Sequence, residues 1–472
     1  MSEISNGYQS RPRVPLLDDV FQPAHSFFQR FFRREASSSI LLLAATAAAL
    51  ILANSILART YHGLWHTELS LVLGAYRITK SLSHWINDGL MTFFFFTVGL
   101  EIKRELLVGS LASRQEALLP VIAALGGILV PGLIYLAFNY DTPNAGGWGI
   151  PMATDIAFAL GAIAIFGRKL PIGLRVFLTA FAIADDLGAV LIIALFYTKG
   201  IVWHYLIICI FLALGLAIAN LLWISWTPLY GLLGLGIWFA VLGSGIHPTV
   251  AGIVVALFIP ARAKYNTDQF VQKVNQIMDA FKCEEESCGS SILLNREHLN
   301  AVHALGVACH DVETPLQQLE HGLHPLVAFG VLPMFAFANA GLTLKGMNLS
   351  GAVYHPVTLG IIVGLFIGKP VGVATFSFLA VKTGLASLPA GVRWPHILGA
   401  GMLGGIGFTM SLFISSLSFS EPALLNYSKL GVLLASVLSA LAGLAFLGFD
   451  YALYKNSVVT NNLGNAKGRE HP

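Results

Sequence analysis

Charge is what this sequence has least of. Asp, Glu, Lys and Arg make up 11% of 472 residues, against 56% hydrophobic, and mean hydropathy is +0.72. A soluble domain carries roughly 25% charged residues, so this chain cannot coat itself in a polar surface, and lipid is its expected solvent. Cysteine is scarce too. Cys209, Cys283, Cys288 and Cys309 form no C-x-x-C and no metal-ligand spacing. Cys283 and Cys288 fall in a loop read as cytoplasmic, where disulfides are disfavoured, so free thiols are expected. Several catalytic signatures are missing. Lys369 is followed by Pro370, so no phosphate-binding loop exists and a nucleotide-driven pump is excluded. HExxH is absent, and no GxG stretch, GIGF included, is followed by the Asp of an intramembrane aspartyl protease. Residues 1–37 carry Arg11, Arg13, Arg30, Arg33 and Arg34 but no short apolar stretch ending in a cleavage site. A removable signal peptide is therefore not expected.

What is present is a succession of long apolar runs. A spanning helix needs about 20 mostly apolar residues. On that measure twelve spans are expected, near 38–58, 86–101, 117–139, 148–166, 172–197, 202–224, 228–243, 246–261, 324–343, 357–381, 394–418 and 427–448. The expected organisation is a cytoplasmic tail over 1–37, a transmembrane domain over 38–448 and a cytoplasmic tail over 449–472. A polar insertion over 262–323 interrupts the domain, with helical periodicity around Phe270–Phe281. With both termini and this insertion inside, 20 of the 28 Lys and Arg fall on cytoplasmic segments, the bias that sets membrane topology. Six lie outside: Arg59, Arg77, Lys80, Lys199, Lys345 and Lys429. Residues 67–80, TELSLVLGAYRITK, alternate around Gly74 and suit an extracytoplasmic β-hairpin. An irregular loop is the alternative.

The few charges inside the apolar runs carry the chemistry. An ionised side chain at the bilayer centre costs at least about 2.5 kcal/mol and is a functional candidate by default. Asp185 and Asp186 lie midway along the fifth run, in FAIADDLGAV, where no helix end exists for them to cap. Lys369 lies at similar depth in the tenth, and Asp155 in the short fourth. Carboxylate oxygens take either a proton or a hard cation. Paired aspartates at midplane can thus bind Na⁺ or protons but not both together, which is what an antiporter requires. Lys369 supplies compensating charge. Thr154 with Asp155, and Gly404, Gly405 and Gly407 with Thr409, mark two spans that could be broken at membrane depth. Broken helices there are tolerated only around a cavity or under protein cover, and they point to an ion site. Asp155 would offset the positive helix ends and Lys369 the negative ones; charge balance alone is the blander reading of both.

The stretches WINDGLMTFFFFTVGLEIKREL, ATDIAFALG, AIADDLGAV, GSGIHPTVAG, LPMFAFANAG, GKPVG and GGIGFTMS occur in this order across most of the chain. Together they resemble the NhaA family of bacterial sodium/proton antiporters. The resemblance implies an all-α polytopic membrane fold of twelve helices. It also implies inverted repeats and two interrupted crossing helices, the fourth and eleventh. It makes Asp185 and Asp186 the exchange pair, with Asp186 the direct Na⁺ ligand and Asp185 the partner of Lys369. It puts Asp155 and Thr154 at the crossing. A cytoplasmic pH-responsive cluster maps to Glu101, Arg104, Glu105, Glu320, His321 and His324, although the first three also suit an ordinary helix end with i,i+4 pairing. His247, in SGIHPT, is either a pH-tuning group or a plain loop histidine, and Asp88 a cap or packing contact. The departure from the family pattern is the polar insertion over 265–315.

The implied activity is electrogenic exchange of Na⁺ or Li⁺ for H⁺ at the bacterial inner membrane, serving pH and sodium homeostasis. The implied protein is a secondary transporter and not an enzyme. It needs no cofactor and no nucleic acid, and forms a homodimer through the 67–80 hairpin. A sodium-coupled organic-anion symporter of similar architecture is the alternative. Such a protein would favour a basic or neutral midplane site, and two adjacent aspartates argue against it.

Overall fold

The computed structural model describes residues 35–73, 76–198, 200–263, 267–279 and 296–467. Lys199, Cys283, Cys288 and most of the expected N-terminal tail lie outside them. Among the described residues nine helices are long and apolar enough to cross a membrane, or ten if one bent pair counts as a single span. The protein is polytopic and mostly helical, with one small sheet.

Helix α1 (Glu35–Asn54) leads into α2 (Ala58–His66) and then into a hairpin of β1 (Glu68–Leu73) and β2 (Tyr76–Ser81). The strands pair antiparallel from Glu68 opposite Ser81 to Leu73 opposite Tyr76, so the alternation around Gly74 does mark a hairpin. The Trp85 indole N–H donates to the Leu69 carbonyl at 3.2 Å and ties the hairpin to the next helix. That helix, α3 (Met91–Val108), continues a π-helical turn over Trp85–Leu90. It carries Glu101, Lys103, Arg104 and Glu105, too many charges for an ordinary span. It is followed by α4 (Arg114–Asn139), which contains Pro120 and Pro131.

The expected fourth span is broken. A 3₁₀ helix over Pro143–Met152 gives way to extended residues 153–155, then to α5 (Ile156–Ala164). Next come α6 (Ile172–Phe196), α7 (Trp203–Leu221), α8 (Thr227–Ser244) and the short α9 (Thr249–Phe258). The surface helix expected near Phe270 is α10 (Thr267–Asp279). The polar insertion holds a second helix, α11 (Arg296–Val312), and α12 (Pro315–Leu326) then runs through a π-helical turn into α13 (Leu332–Asn339). This span therefore begins well before residue 324. Helix α14 (Pro356–Val363) joins α15 (Lys369–Lys382) through another π-helical turn.

The expected eleventh span is also broken. Helices α16 (Trp394–Gly404) and α17 (Phe408–Ser418) meet at 46°. The chain ends in α18 (Pro422–Lys467), 46 residues without interruption. It runs on past residue 448, where the last span was expected to give way to a tail. Apolar helices in lipid gain little from burying more apolar surface, so close contact depends on small residues. Gly126 of α4 and Gly372 of α15 illustrate this, because a Cβ on either would strike the other's backbone.

Candidate cation-exchange site

The two breaks lie against each other. The backbone N–H of Asp155 donates to the Ile406 carbonyl at 2.7 Å, and the Thr154 hydroxyl donates to the Gly404 carbonyl at 2.8 Å. Helix ends leave carbonyls and N–H groups without helical partners, and here each break supplies partners for the other. The contact is close because the turn between α16 and α17 is built of glycine. A Cβ on Gly405 would lie 2.5 Å from the Leu365 carbonyl, and one on Gly407 would lie 3.0 Å from the Ala153 carbonyl.

Asp155 sits between two helix N-termini. One carboxylate oxygen accepts from the Phe158 N–H at 3.3 Å, in the first turn of α5. The other accepts from the Thr409 N–H at 3.1 Å, in the first turn of α17, and from the Thr409 hydroxyl. A helix N-terminus carries about half a positive charge, so a single carboxylate faces two such ends. At the opposite pole Lys369 donates to the Met152 carbonyl, the last of the 3₁₀ segment. Its ammonium also bonds both carboxylate oxygens of Asp185, at 2.9 and 2.7 Å.

Asp186, the next residue on α6, is arranged differently. It is 1% exposed, and among the described residues neither of its carboxylate oxygens has a hydrogen-bond partner. The acids whose charges reach it are Asp185, Asp155 and Glu101, and the cation is Lys369. Buried polar atoms are nearly always hydrogen-bonded. Two orphaned oxygens on one carboxylate mark a place for a proton or a cation.

At one end of the bundle Arg104 bridges Glu105 of its own helix, at 3.0 Å, and Glu320 of α12, at 2.9 Å. Glu105 also accepts from the Ser110 N–H and hydroxyl, at 2.9 and 3.1 Å. Glu101 lies within reach of the charges of Glu320, Arg104 and Glu105. His321 and His324 are exposed.

The family described as Na⁺/H⁺ antiporter 1 matches residues 29–447. The chain belongs to this Na⁺/H⁺ antiporter family. It is 48% identical to the Na⁺/H⁺ antiporter NhaA 2 of Syntrophotalea carbinolica, over 89% of this chain and 95% of that protein. It is 48% identical to the antiporter NhaA of Koribacter versatilis, over 93% and 94%. Similarity to the antiporter NhaA of Citrobacter koseri is 44%, over 84% and 92%.

In this Na⁺/H⁺ antiporter family member, Asp185, Asp186, Lys369, Asp155, Thr154, Thr409 and Gly404, Gly405 and Gly407 come together at the two breaks. The Glu101, Arg104, Glu105 and Glu320 group is joined around Arg104, while the two histidines stand apart from its ion pairs. His247 Nδ1 bonds the Thr249 hydroxyl at 2.8 Å, and Nε2 is 3.8 Å from a carboxylate oxygen of Asp88. The structure thus puts His247 beside Asp88, a neighbour the sequence did not suggest. Its ring is edge-on to Phe413 of α17 at 5.4 Å. Two participants gave no sequence signal. The Met152 carbonyl matters only because the chain stops being helical there. Lys103 donates to the Leu257 and Ile259 carbonyls, both at 2.6 Å, and so caps α9, which has no basic residue of its own in its last turn.

Proposed function

We propose that this protein exchanges Na⁺ or Li⁺ for H⁺ across the bacterial inner membrane, with Asp185 and Asp186 as the pair at which cation and proton compete. The observation that carries this reading is Asp186, buried with both oxygens unpartnered beside a lysine–aspartate pair. The lysine holds Asp185 and leaves Asp186 as the open carboxylate. A cation entering there displaces the proton, and a proton entering displaces the cation. Asp185 and Lys369 add two further titratable groups. More than one proton can therefore move per cation, and exchange is electrogenic.

The surrounding architecture completes the proposal. Twelve spans result when the charged α3 and the ten-residue α9 are counted with the ten that pass on length and apolarity. The two broken spans are the crossing pair of an inverted repeat. Asp155 balances their positive ends and Lys369 a negative one, so the pair can shift against its neighbours without exposing bare helix dipoles. Residues 1–37 and 449–472 and the insertion over 262–323 lie in the cytoplasm. The hairpin over 67–80 joins two copies. The group around Arg104, with His321 and His324 nearby on α12, makes exchange responsive to cytoplasmic pH, and His247 tunes it from the opposite side. The symporter alternative gains no support. The cation at this site, Lys369, is already committed to Asp185 and Met152 rather than free for an organic anion.

Reconstitution into liposomes tests the reading. Adding Na⁺ should discharge an imposed pH gradient and carry current. Discharge that instead requires an organic anion would replace antiport with symport.

A further inference from the structure

Where α16 enters the bundle, its first turn is closed by a side chain from within the helix. Arg393, just before the helix, is extended at φ −116 and ψ 164. Its backbone N–H donates to Nδ1 of His396 at 3.2 Å. A ring nitrogen that accepts carries no proton, so the neutral ring bears its hydrogen on Nε2. That nitrogen lies 3.2 Å from Oδ2 of Asp450. Nη2 of Arg393 bonds the same oxygen at 2.6 Å, and its guanidinium lies 4.7 Å from the centre of the Tyr454 ring. His396 is only 5% exposed.

This cluster ties two elements together. Asp450 and Tyr454 belong to the part of α18 beyond the expected last span, where no role was foreseen. Helix α18 packs closely along α16: Leu447 lies over Gly399 and Leu403 over Gly443, and a Cβ on either glycine would overlap the leucine. Helix α16 has 11 residues, about 16 Å at 1.5 Å per residue. Its far end is Gly404, whose carbonyl holds Thr154. The cap and the break are therefore opposite ends of one short rigid element.

We propose that His396 and Asp450 are positioning residues for the exchange reaction. Neutral His396 caps α16 and holds its far end against residues 153–155, and a proton taken up from water at Nδ1 releases the cap. The imidazolium has donors on both nitrogens. The Arg393 N–H then loses its acceptor, and the first turn of α16 gains an orphan donor. Nη2 of Arg393, 3.4 Å from Nε2, would also face a second cation. Asp450 alone favours the protonated ring. Arg393 and Asp450 are the charged groups acting on His396. On neighbouring elements Lys169 lies over the Tyr451 ring and Lys382 over the Phe378 ring, each at 5.8 Å. Both of these cations engage aromatic faces. Histidine is the side chain that ordinarily changes charge between about pH 5 and 8, so His396 is the group in this cluster at which a proton would open the latch.

The inference rests on the antiport reading, and one set of vesicles tests both. His396→Gln keeps both hydrogen bonds without titrating, since glutamine at this helix position accepts from the N–H before the helix and its amide can donate to Asp450. Asp450→Asn keeps side-chain size but removes the charge that stabilises the imidazolium. Maximal rates at saturating Na⁺ are measured between about pH 6 and 9, spanning the histidine range. In both variants the acid limb should move downward by about one pH unit, with the KM for Na⁺ at the alkaline end unchanged within about twofold. Saturating Na⁺ separates this effect from proton competition at Asp186, which acts on KM. Acid limbs that superimpose on the wild type in both variants would overturn the latch. If His396→Gln fails to reach the membrane, Asp450→Asn decides alone. Wild-type vesicles with no Na⁺-driven pH change would instead overturn the antiport reading, and the inference with it.

Discussion

The Lys369 ammonium lies 2.7 Å from a carboxylate oxygen of Asp185, and neither side chain has any exposed surface. Removing one partner of such a pair leaves an uncompensated buried charge, which typically costs about 3–5 kcal/mol. Lys369→Ala should therefore lower the melting temperature of the purified protein markedly. Adding Asp185→Asn to it should restore most of the loss, because the orphaned carboxylate is gone. Both changes are read in detergent thermal denaturation. Lys369→Ala melting with the wild type would mean that the pair is not ionised in the folded state.

Asp186→Asn should have the opposite profile. The carboxylate has no hydrogen-bond partner to lose, and a neutral amide is easier to bury than an ion. The variant should fold, reach the membrane and melt no lower than the wild type, while Na⁺-dependent proton release falls to background. Proton release on Na⁺ binding that survives in the Asp185→Asn, Asp186→Asn double variant would place the exchange site elsewhere.

The elements of this site were legible to different degrees. Asp185, Asp186 and Lys369 stand out because charge inside an apolar run is rare, and depth along a helix can be counted from sequence. The breaks were legible as glycine and polar interruptions. Their crossing follows from the family resemblance, but the bonds that join them do not, since the one from Asp155 N–H to the Ile406 carbonyl links residues about 250 positions apart. The second and eighth spans were expected from apolar runs. As helices they depart from the standard pattern, one by carrying four charged residues, the other by its ten-residue length. The continuation of α18 beyond residue 448 was missed because its polar residues resemble a tail in composition. Asp450 and Tyr454 acquire a purpose only once α16 lies alongside. The family resemblance brings His321 and His324 into the pH cluster beside Glu320, but both are exposed and neither takes part in the ion pairs of Arg104 with Glu105 and Glu320.

Thr409→Val isolates the contact between the breaks. It keeps the side-chain shape and the 3.1 Å bond from the Thr409 N–H to Asp155, and removes only the hydroxyl donor. Loss of one hydrogen bond to a buried carboxylate costs about 1–3 kcal/mol. The expected result is a lower melting temperature together with slower exchange, and Thr409→Ser should restore both. Slower exchange with unchanged stability would assign the hydroxyl to transport alone.

Topology has its own test. If the bias of Lys and Arg sets orientation, reporter fusions at residue 290 and at the C-terminus should both report a cytoplasmic location. An external signal from either would exclude the twelve-span arrangement with its termini inside.

The group around Arg104 separates two models of pH response. Arg104 is the cation that joins Glu105 to Glu320, with Glu101 in range of both. In Arg104→Ala three carboxylates are left facing one another without it. Their mutual repulsion is then uncompensated, so the contact between α3 and α12 should weaken. The variant should be less stable than the wild type, and its activation profile should shift. The double variant His321→Gln, His324→Gln removes two exposed groups outside these ion pairs. Its stability should stay within about 0.5 kcal/mol of the wild type, and its activation profile should move less than that of Arg104→Ala. Thermal melts and exchange rates across one pH series measure all of this. If the histidine variant moves the profile further than Arg104→Ala, the response belongs to the exposed imidazoles and not to the carboxylates around Arg104.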